Sequence, residues 1–366
     1  MAAEVELKLG EGWISGYLSA LLGLSALAGV LCFRFPELLT TADIRAQTDP
    51  ELMRQLIFAF LVVGSVAGAL NFLFDKGRKQ ALTGLAACAL AVLFGGSGVE
   101  VTGRPASPYA IGLDWLVLGL LVSAVVFIPL EKAFGLRRDQ AILRRQWRTD
   151  LAYFAVNSLL ISYFLLVTMH AVPAVFGWAV SERVQTTVQS WPTWVQFVAA
   201  VFCADMAQYW THRWYHTKSF WKVHAVHHSA PSMDWLAGSR LHLVEILITR
   251  SAILGSLFLV GFSEEALQAY IVLVGVQAVF IHANVGFDFG WLNYVIATPQ
   301  FHHWHHSDDR AAADTNFAVH LPIIDLVFGT FRLPKGEWPE SYGVLGPPIP
   351  DGLIGQTLYP FRKDPA

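Results

Sequence analysis

Histidine is the residue type with the most informative distribution in this chain. Twelve of the thirteen histidines fall between residues 212 and 320. Eight of them form three short motifs: HxxxH at 212–216, HxxHH at 224–228 and HxxHH at 302–306. In a helix, residues three and four apart lie on one face, so each motif is predicted to aim its imidazoles at one point. Imidazole is a ligand for iron, zinc, copper and nickel, and the spacing therefore predicts metal binding.

The number of imidazoles predicts two metals. A structural zinc takes four ligands, and a catalytic zinc takes three ligands and a water, so eight or nine imidazoles exceed one site. The Glu-x-x-His ligands of soluble di-iron bundles are missing from these motifs. A lone HxxxH pair next to a membrane is typical of aromatic side chains that lie at the membrane–water interface. Three histidine clusters within 95 residues instead favour metal ligands. The predicted ligands are His212, His216, His224, His227, His228, His282, His302, His305 and His306, with His242 as a possible tenth.

Three further residues are expected to contact the ligands rather than the metals. Asp205 lies seven residues before His212 on the same helix face, where its carboxylate would accept the free N–H of a ligand histidine and fix its tautomer. Glu245 is expected to do the same after His242. His303 points about 100° away from His302 on a helix. Its side chain is therefore predicted to contact a ligand histidine from outside the site or to face the substrate.

Four other residues receive non-ligand interpretations. Arg213 and Arg240 are expected to anchor to lipid headgroups. His170 lies inside an apolar run without a partner in sequence, and it is interpreted as a packed helix residue. His320 lies beyond the last motif and is not expected to bind metal.

The elements that position these residues are predicted to be membrane helices. The chain has 366 residues, 54% hydrophobic and only 14% charged, against about 25% charged in soluble domains. A spanning helix needs about 20 apolar residues, which predicts six to eight spans. The corresponding apolar runs are 13–33, 56–74, 80–97, 110–130, 151–176, 193–210, 244–261 and 266–282. The predicted fold is an all-α, multi-pass membrane helical bundle with a cytoplasmic histidine-rich helical cap.

The basic loops predict the orientation of this bundle. Residues 75–79 and 131–149 carry most of the loop Lys and Arg, and the positive-inside rule assigns such loops to the cytoplasmic side. Counting helices forward from them places nearly all the histidines on that side too. The net charge of −3 gives no indication of nucleic-acid binding.

Cysteine usage excludes two other kinds of site. The three cysteines, Cys32, Cys88 and Cys203, lie in or beside apolar runs without a C-x-x-C pair. This pattern excludes a disulfide framework and a cysteine-based metal site.

The histidine motifs and their flanking residues resemble the fatty acid hydroxylase / sterol desaturase superfamily, which consists of integral-membrane di-iron oxygenases. The similarity covers about residues 198–335. Two departures stand out: Asn316-Phe317-Ala318 replaces the more usual Asn-Tyr-Gly, and Gly286 stands where some members have a second histidine after His282. The segments that carry the similarity are 205–216, 221–229, 240–245, 282–284, 298–307, 316–318 and 325–330.

The resemblance implies a reaction and its cofactors. Two Fe ions would activate O₂ to hydroxylate or desaturate a C–H bond of a lipid, such as a sterol, fatty acyl, sphingoid, alkylglycerol or carotenoid. Asn284 joins the residues expected beside the ligands. No G-x-G-x-x-G fingerprint and no His-Pro-Gly-Gly haem signature is found, so electrons are expected from a separate protein that docks on 131–149.

The predicted domain organisation has four parts. They are 1–130, transmembrane helices of unknown role; 131–197, a basic cytoplasmic loop and a transmembrane helix; 198–335, the di-iron domain; and 336–366, an irregular tail. The Ala/Leu/Gly-rich composition of the helices favours a bacterial inner membrane over the endoplasmic reticulum.

Two other classes of protein remain as alternatives. A zinc-dependent membrane lipid hydrolase would use such clusters to activate water, although eight ligands are too many for one zinc and no G-x-S-x-G elbow is found. A haem carrier or metal transporter would place its ligands within the spanning helices, whereas these motifs lie outside the runs.

Overall fold

The chain folds almost entirely into helices. The computed structural model describes residues 4–100, 110–346 and 348–362, except the side chains of residues 42 and 43. Over these residues two isolated bridges are the only β-type pairing. The predicted all-α class is confirmed. The first six helices are α1 (Trp13–Arg34), α2 (Pro36–Leu39), α3 (Ala42–Gln47), α4 (Pro50–Asn71), α5 (Arg78–Leu93) and α6 (Leu113–Phe134). The remaining helices are α7 (Trp147–Leu159), α8 (Ile161–Phe176), α9 (Glu182–Gln189), α10 (Thr193–Tyr215), α11 (Trp221–His228), α12 (Leu243–Val260), α13 (Glu264–Phe280), α14 (Pro299–His305), α15 (Ile323–Phe328) and α16 (Leu353–Leu358).

Six helical segments of the described chain are long and apolar enough to cross a membrane, which is within the predicted range. The predicted run 151–176 is divided at Leu160 into α7 and α8, and only the second part qualifies. The runs 193–210 and 266–282 lie in α10 and α13, which do not meet the same criterion. The six segments are Trp13–Arg34, Pro50–Asn71, Arg78–Gly98, Leu113–Phe134, Ile161–Ala179 and Leu243–Val260.

The N-terminal helices pack through small residues. Helix α1 lies against both α4 and α5, and a Cβ atom on Gly23 would collide with the backbone of Gly84. Gly16 meets the backbone of Gly77 in the same way. Membrane helices gain little from the hydrophobic effect and associate by close van der Waals packing at small residues. These glycines therefore set the helix spacing.

A second bundle, formed by α10, α12 and α13, supports the segments that carry the histidines. The Tyr215 hydroxyl donates to the Glu245 carbonyl at 3.1 Å, and the Ser263 backbone N–H donates to Gln196 Oε1 at 2.8 Å. The C-terminal end of α10 thus lies beside the start of α12, while the start of α13 lies at the opposite end. An apolar core joins the helices along their length, and it includes Val201, Leu257 and Tyr270.

The antiparallel order brings the histidines to one end of the molecule, which we call the histidine end. His212 lies near the last turn of α10, and His282 follows α13. The end of α6 is tied there too, because Glu131 Oε1 accepts from the backbone N–H groups of Trp235 (2.7 Å) and Asn284 (3.0 Å).

The tail is less irregular than predicted. Residues 353–358 form α16, and the Thr357 carbonyl lies 3.0 Å from His242 Nε2. The tail therefore packs against the start of α12 instead of extending away from the fold.

Candidate metal centre

Nine histidines converge in two groups at the histidine end. Within each group, one ligand atom from every residue lies within 4.8 Å of the others. All nine are buried except His216, which is partly exposed. The five-histidine group contains His212, His216, His224, His228 and His305. The four-histidine group contains His227, His282, His302 and His306.

The groups divide the sequence motifs instead of following them. Histidines four residues apart, such as His302 and His306, stay together, but His305 joins the other group. The expectation that each HxxHH motif aims at one point is therefore wrong. At about 100° per residue, position i+4 lies about 40° from i on one side and i+3 about 60° on the other. Each HxxHH motif, one on α11 and one on α14, thus supplies ligands to two neighbouring sites.

The distances between the inner nitrogens fit metal coordination. In the five-histidine group, His224 Nε2 lies 3.0 Å from His212 Nε2 and 3.1 Å from His228 Nε2. In the other group, His302 Nε2 lies 3.1 Å from the Nε2 atoms of both His282 and His306. Ligands about 2.1 Å from a metal are about 3.0 Å apart at right angles and about 3.4 Å apart at the tetrahedral angle. Most of these spacings therefore match a five- or six-coordinate metal.

In two ligands of the four-histidine group, a hydrogen bond on the outer nitrogen leaves the inner nitrogen without a proton. His227 Nδ1 lies 3.1 Å from the Arg240 carbonyl, and His282 Nδ1 lies 2.8 Å from the Ala278 carbonyl. A carbonyl only accepts, so each Nδ1 carries the proton and each Nε2 carries a lone pair. These two Nε2 atoms face each other at 3.4 Å. Two lone pairs cannot hydrogen-bond to each other, and a cation between them relieves their repulsion. The donor set therefore fits a metal.

Burial keeps the imidazoles neutral. It lowers the pKa of His212 to about 3, with a smaller contribution from the neighbouring His216, and lowers the pKa of His282 to about 4. Desolvation disfavours the charged form of a buried histidine. Because a ligand histidine must be unprotonated, both residues are ready to bind metal at neutral pH.

Two carboxylates hold ligands of the five-histidine group. Glu245 Oε1 lies 2.8 Å from His224 Nδ1, and Asp314 Oδ1 lies 3.0 Å from His216 Nδ1. Such contacts fix ring orientation and raise ligand basicity. Glu245 has the type of contact that the sequence predicted. Asp314 was missed, because it lies in an irregular loop with a left-handed backbone (φ 57°) and no periodic pattern marks it.

Backbone carbonyls hold two more ligands of this group. His212 Nδ1 lies 2.7 Å from the Phe317 carbonyl, and His305 Nδ1 lies 2.7 Å from the Thr315 carbonyl. Sequence patterns carry no signal for such contacts, since every residue has a carbonyl.

Asp205 does not contact a ligand histidine as predicted. Its carboxylate accepts from the backbone N–H groups of Val319 (3.0 Å), His320 (3.2 Å) and Leu321 (2.6 Å). The i, i+7 spacing correctly puts Asp205 and His212 on one face, but the chain around residue 319 occupies the space between them and α13. Its effect on the site is indirect.

Asn284 and His303 are also placed away from the inner nitrogens. The Asn284 side chain bonds the backbone of Arg137, with its Oδ1 2.9 Å from the Arg137 N–H. His303 lies between the Tyr342 hydroxyl (2.9 Å from Nδ1) and the His282 carbonyl (3.3 Å from Nε2). His303 thus contacts the backbone of one predicted ligand, whereas Asn284 organises the loop after α6.

His242 lies outside both groups. Its Nδ1 accepts from the Val244 N–H at 3.2 Å and so caps α12, while its Nε2 faces the Thr357 carbonyl. The Arg-Leu-His-Leu-Val-Glu stretch therefore contributes Glu245 to the site, and His242 stabilises the helix start.

Arg240 is buried in an ionic network, so its interpretation as a lipid anchor is wrong. Its guanidinium bonds Asp150 at 2.6 Å, and Arg144 bridges Asp150 (2.8 Å) to Asp234 (2.6 Å). Each of these four side chains is 5% exposed or less. Buried ions need paired partners, and this network fixes the carbonyl that holds His227.

Three further interpretations have different outcomes. The Arg213 guanidinium donates to the Tyr209 hydroxyl at 3.0 Å, so at least one of its N–H groups bonds within the protein instead of to a lipid headgroup. His170 is exposed on the outer surface of α8, and the expectation of a packed histidine is wrong. His320 is buried beside Tyr270, 6.0 Å between ring centroids, and lies outside both groups.

Comparison with known proteins identifies the histidine-bearing region. Residues 197–330 match the family model described as fatty acid hydroxylase. An ornithine lipid hydroxylase from Rhizobium tropici is 30% identical over 178 residues, which are 47% of this chain and 52% of that protein. Human alkylglycerol monooxygenase is 29% identical over 158 residues, 43% of this chain and 35% of its own length. Methylsterol monooxygenase 1-1 of Arabidopsis thaliana is 27% identical over 140 residues, with shares of 37% and 46%.

These matches confirm the resemblance seen in the histidine motifs. They span about half the length of the bacterial relative and about a third to a half of the two plant and animal proteins. No solved structure matches the chain.

Proposed function

We propose that this chain, in which residues 197–330 form a fatty acid hydroxylase domain, is a membrane-bound non-haem di-iron oxidoreductase. It hydroxylates or desaturates a C–H bond of a lipid with O₂ and external electrons. The observation that carries the proposal is the convergence of nine imidazoles in two adjacent groups at one end of a bundle of apolar helices. The di-iron domain is taken as about residues 198–335, and residues 1–130 as transmembrane helices of unknown role.

The donor set favours two irons over a hydrolytic zinc. Nine nitrogens supply five ligands to one metal and four to the other, whereas a catalytic zinc takes three ligands and a water. The near-right-angle spacings argue against tetrahedral zinc in the same way. The named relatives are a hydroxylase and two monooxygenases, and nothing supports the hydrolase alternative.

The residues of the chain hold, orient and shield the metals. The five-histidine and four-histidine groups supply the ligands, and Glu245 and Asp314 orient two of them. Two irons bound there supply the O₂-activating chemistry that an aliphatic C–H bond requires. Aromatic residues such as Phe317 and Trp221 pack against the imidazoles of the five-histidine group and exclude water from it.

The membrane setting supports a lipid substrate. The bacterial relative is named for ornithine lipid and the others for alkylglycerol and methylsterol, and all three are lipids. The histidine end also carries the basic segment 131–149, which supports a cytoplasmic site by the positive-inside rule. A separate electron-donor protein would reach the site from that side, in a bacterial inner membrane.

Metal analysis followed by product analysis tests this function. We expect about two irons per detergent-purified chain, since nine imidazoles suffice for two metals, and fewer in His227→Ala. Vesicles containing the iron-loaded protein and a chemical reductant should then transfer ¹⁸O from ¹⁸O₂ to lipid, or form a new double bond. A full iron complement with no O₂-dependent change in any lipid class would reject the proposal.

A further inference from the structure

The chain after α14 turns back into the bundle at membrane depth, and we call residues 316–331 the re-entrant segment. The Ser256 hydroxyl lies 3.4 Å from the Cys203 carbonyl, so these residues of α12 and α10 are level. Helix α12 is a candidate span, and at 1.5 Å per residue Ser256 is about 20 Å along it from Leu243. Asp205 is about 3 Å nearer the histidine end. With the hydrocarbon layer of about 30 Å taken to begin at Leu243, the start of the candidate span, Asp205 lies close to its middle.

Buried polar side chains satisfy the backbone of this segment. Asp205 accepts from three consecutive N–H groups, those of residues 319–321, and Asp325 accepts from the N–H groups of Phe317 and Ala318 at 2.8 Å each. Non-helical backbone at membrane depth is tolerated only where its polar groups have partners in the protein. The re-entrant segment is thus held inside the membrane layer by α10 and by its own helix α15.

The outer face of the segment is suited to hydrocarbon. On α15, Ile323 is 51% exposed and Val327 is 73% exposed. Trp210 of α10 is 48% exposed and lies beside Phe328, with ring centroids 5.0 Å apart. This apolar surface lies at the depth of the hydrocarbon layer, so its occupant is the acyl chain of a bilayer lipid.

A short series of aromatic rings leads from this surface to the five-histidine group. Phe328 stacks on buried Tyr209 at 5.2 Å, and Tyr209 meets Phe317 edge-on at 5.9 Å. The Phe317 ring lies 5.6 Å from the ring of His212 and 5.0 Å from that of His216. One fixed tyrosine and one phenylalanine therefore separate the lipid-facing surface from the ligands.

Phe317 combines a fixed backbone with a ring that has no polar anchor. Its N–H donates to Asp325, and its carbonyl accepts from His212. Tyr209, by contrast, is held through its hydroxyl by Thr330 and Arg213, each at 3.0 Å. Hydrogen bonds therefore fix the Phe317 backbone, whereas packing alone holds its ring.

We propose that the acyl chain of a bilayer lipid enters between α10 and α15, and that Phe317 closes this route at the five-histidine group and selects the carbon presented there. This proposal rests on the proposed function and names its substrate route and its specificity-determining residue. Phe317 stands where the family pattern more often has tyrosine.

Photocrosslinking tests the route without requiring catalysis. Phe317 is replaced by p-azidophenylalanine in the full chain, which is placed in vesicles of phosphatidylethanolamine and phosphatidylglycerol and irradiated. We expect a covalent phospholipid adduct at 317, detected by mass spectrometry. Val327 serves as the lipid-exposed positive control. Tyr342, which contacts His303 away from the re-entrant segment, serves as the buried control and should form none. Adducts at 327 without any at 317 would overturn the route.

A matched pair of substitutions tests selectivity. Phe317→Leu and Phe127→Leu make the same chemical change in buried positions, but Phe127 belongs to α6 and packs in the core with Trp235 and Ala283, away from the route. We expect Phe317→Leu to change the ratio of oxidised positions or chain lengths about tenfold, the range for one altered pocket contact, with iron content unchanged. Phe127→Leu should keep the original ratio. An unchanged ratio in Phe317→Leu would refute the selectivity.

The two experiments separate this inference from the proposed function. Lipid adducts at 317 together with no oxidation by the unsubstituted protein would count against the function alone. Oxidation of lipid together with no adduct at 317 and an unaltered product ratio would count against the inference alone.

Discussion

The five-histidine and four-histidine groups lie side by side, but their outer nitrogens are held differently. In the five-histidine group, carboxylates hold His216 and His224, while carbonyls hold two more ligands. In the four-histidine group, carbonyls hold His227 and His282. The Nδ1 atoms of the remaining two, His302 and His306, have no hydrogen-bond partner among the described residues.

This difference predicts unequal metal sites. A carboxylate on the outer nitrogen raises the basicity of the imidazole and fixes its orientation. A ligand without such a partner is oriented only by packing and by the metal. The five-histidine group is therefore expected to hold its metal more tightly, and the four-histidine group to be more adaptable.

Removing one ligand from each group should have the largest effect. We expect His224→Ala and His302→Ala each to lose about one of two metals, because each site then lacks a ligand, and both to abolish lipid oxidation. Plasma mass spectrometry of the purified proteins measures the loss, and His170→Ala, exposed on α8, is the control. Retention of both metals and of full activity in either variant would contradict the grouping.

Neutralising the buried carboxylate should weaken one site selectively. In Glu245→Gln, metal affinity of the five-histidine group should fall about 10- to 100-fold, the usual effect of losing an outer partner. Titration with iron under argon measures both sites. Glu265→Gln, on the exposed first turn of α13, should titrate like the unsubstituted protein. Equal weakening of both sites would show that the groups are not independent.

Limited chelation should distinguish the sites in the unsubstituted protein. We expect the metal of the four-histidine group to leave first, about tenfold faster, because two of its ligands lack outer partners. We expect metal release over time to show two phases. Glu245→Gln should accelerate the slow phase and leave the fast phase unchanged. A single phase would remove the distinction between the groups.

Asp314 should contribute less than Glu245. Its side chain is 70% exposed, so water competes for its hydrogen bond to the neutral His216 ring. Asp314→Asn is expected to weaken metal binding by about fivefold or less, because one such hydrogen bond contributes about 1 kcal/mol. A loss as large as that of Glu245→Gln would mean that exposure does not limit its role.

His242→Ala should have the smallest effect on the metals. The residue caps α12 and lies outside both groups, so we expect both metals to remain. Loss of a helix N-cap costs about 1 kcal/mol of stability, measurable as a lower thermal midpoint in detergent. Loss of a metal would restore His242 as a ligand.

Local spacing predicted much of this site. Eight of the nine candidate ligands were identified because helical periodicity relates residues within a few positions of one another, and His282 was identified from its place at the end of an apolar run. Asp205 shows where such reasoning ends: its helix face was predicted correctly, but its partners lie more than 110 residues away. The buried Arg144–Asp150–Asp234–Arg240 network was not foreseen, because sequence does not show which charges become buried together.

The amino-acid sequence by itself determined that this is a helical membrane protein with clustered imidazoles, because apolar run length and i, i+3, i+4 spacing are local properties of a helix. Only the tertiary structure decided how the imidazoles divide between two groups and which partners hold them. The His216–Asp314 pair and the His212–Phe317 contact join residues about a hundred positions apart, and such contacts exist only once α10, α14 and the re-entrant segment pack together.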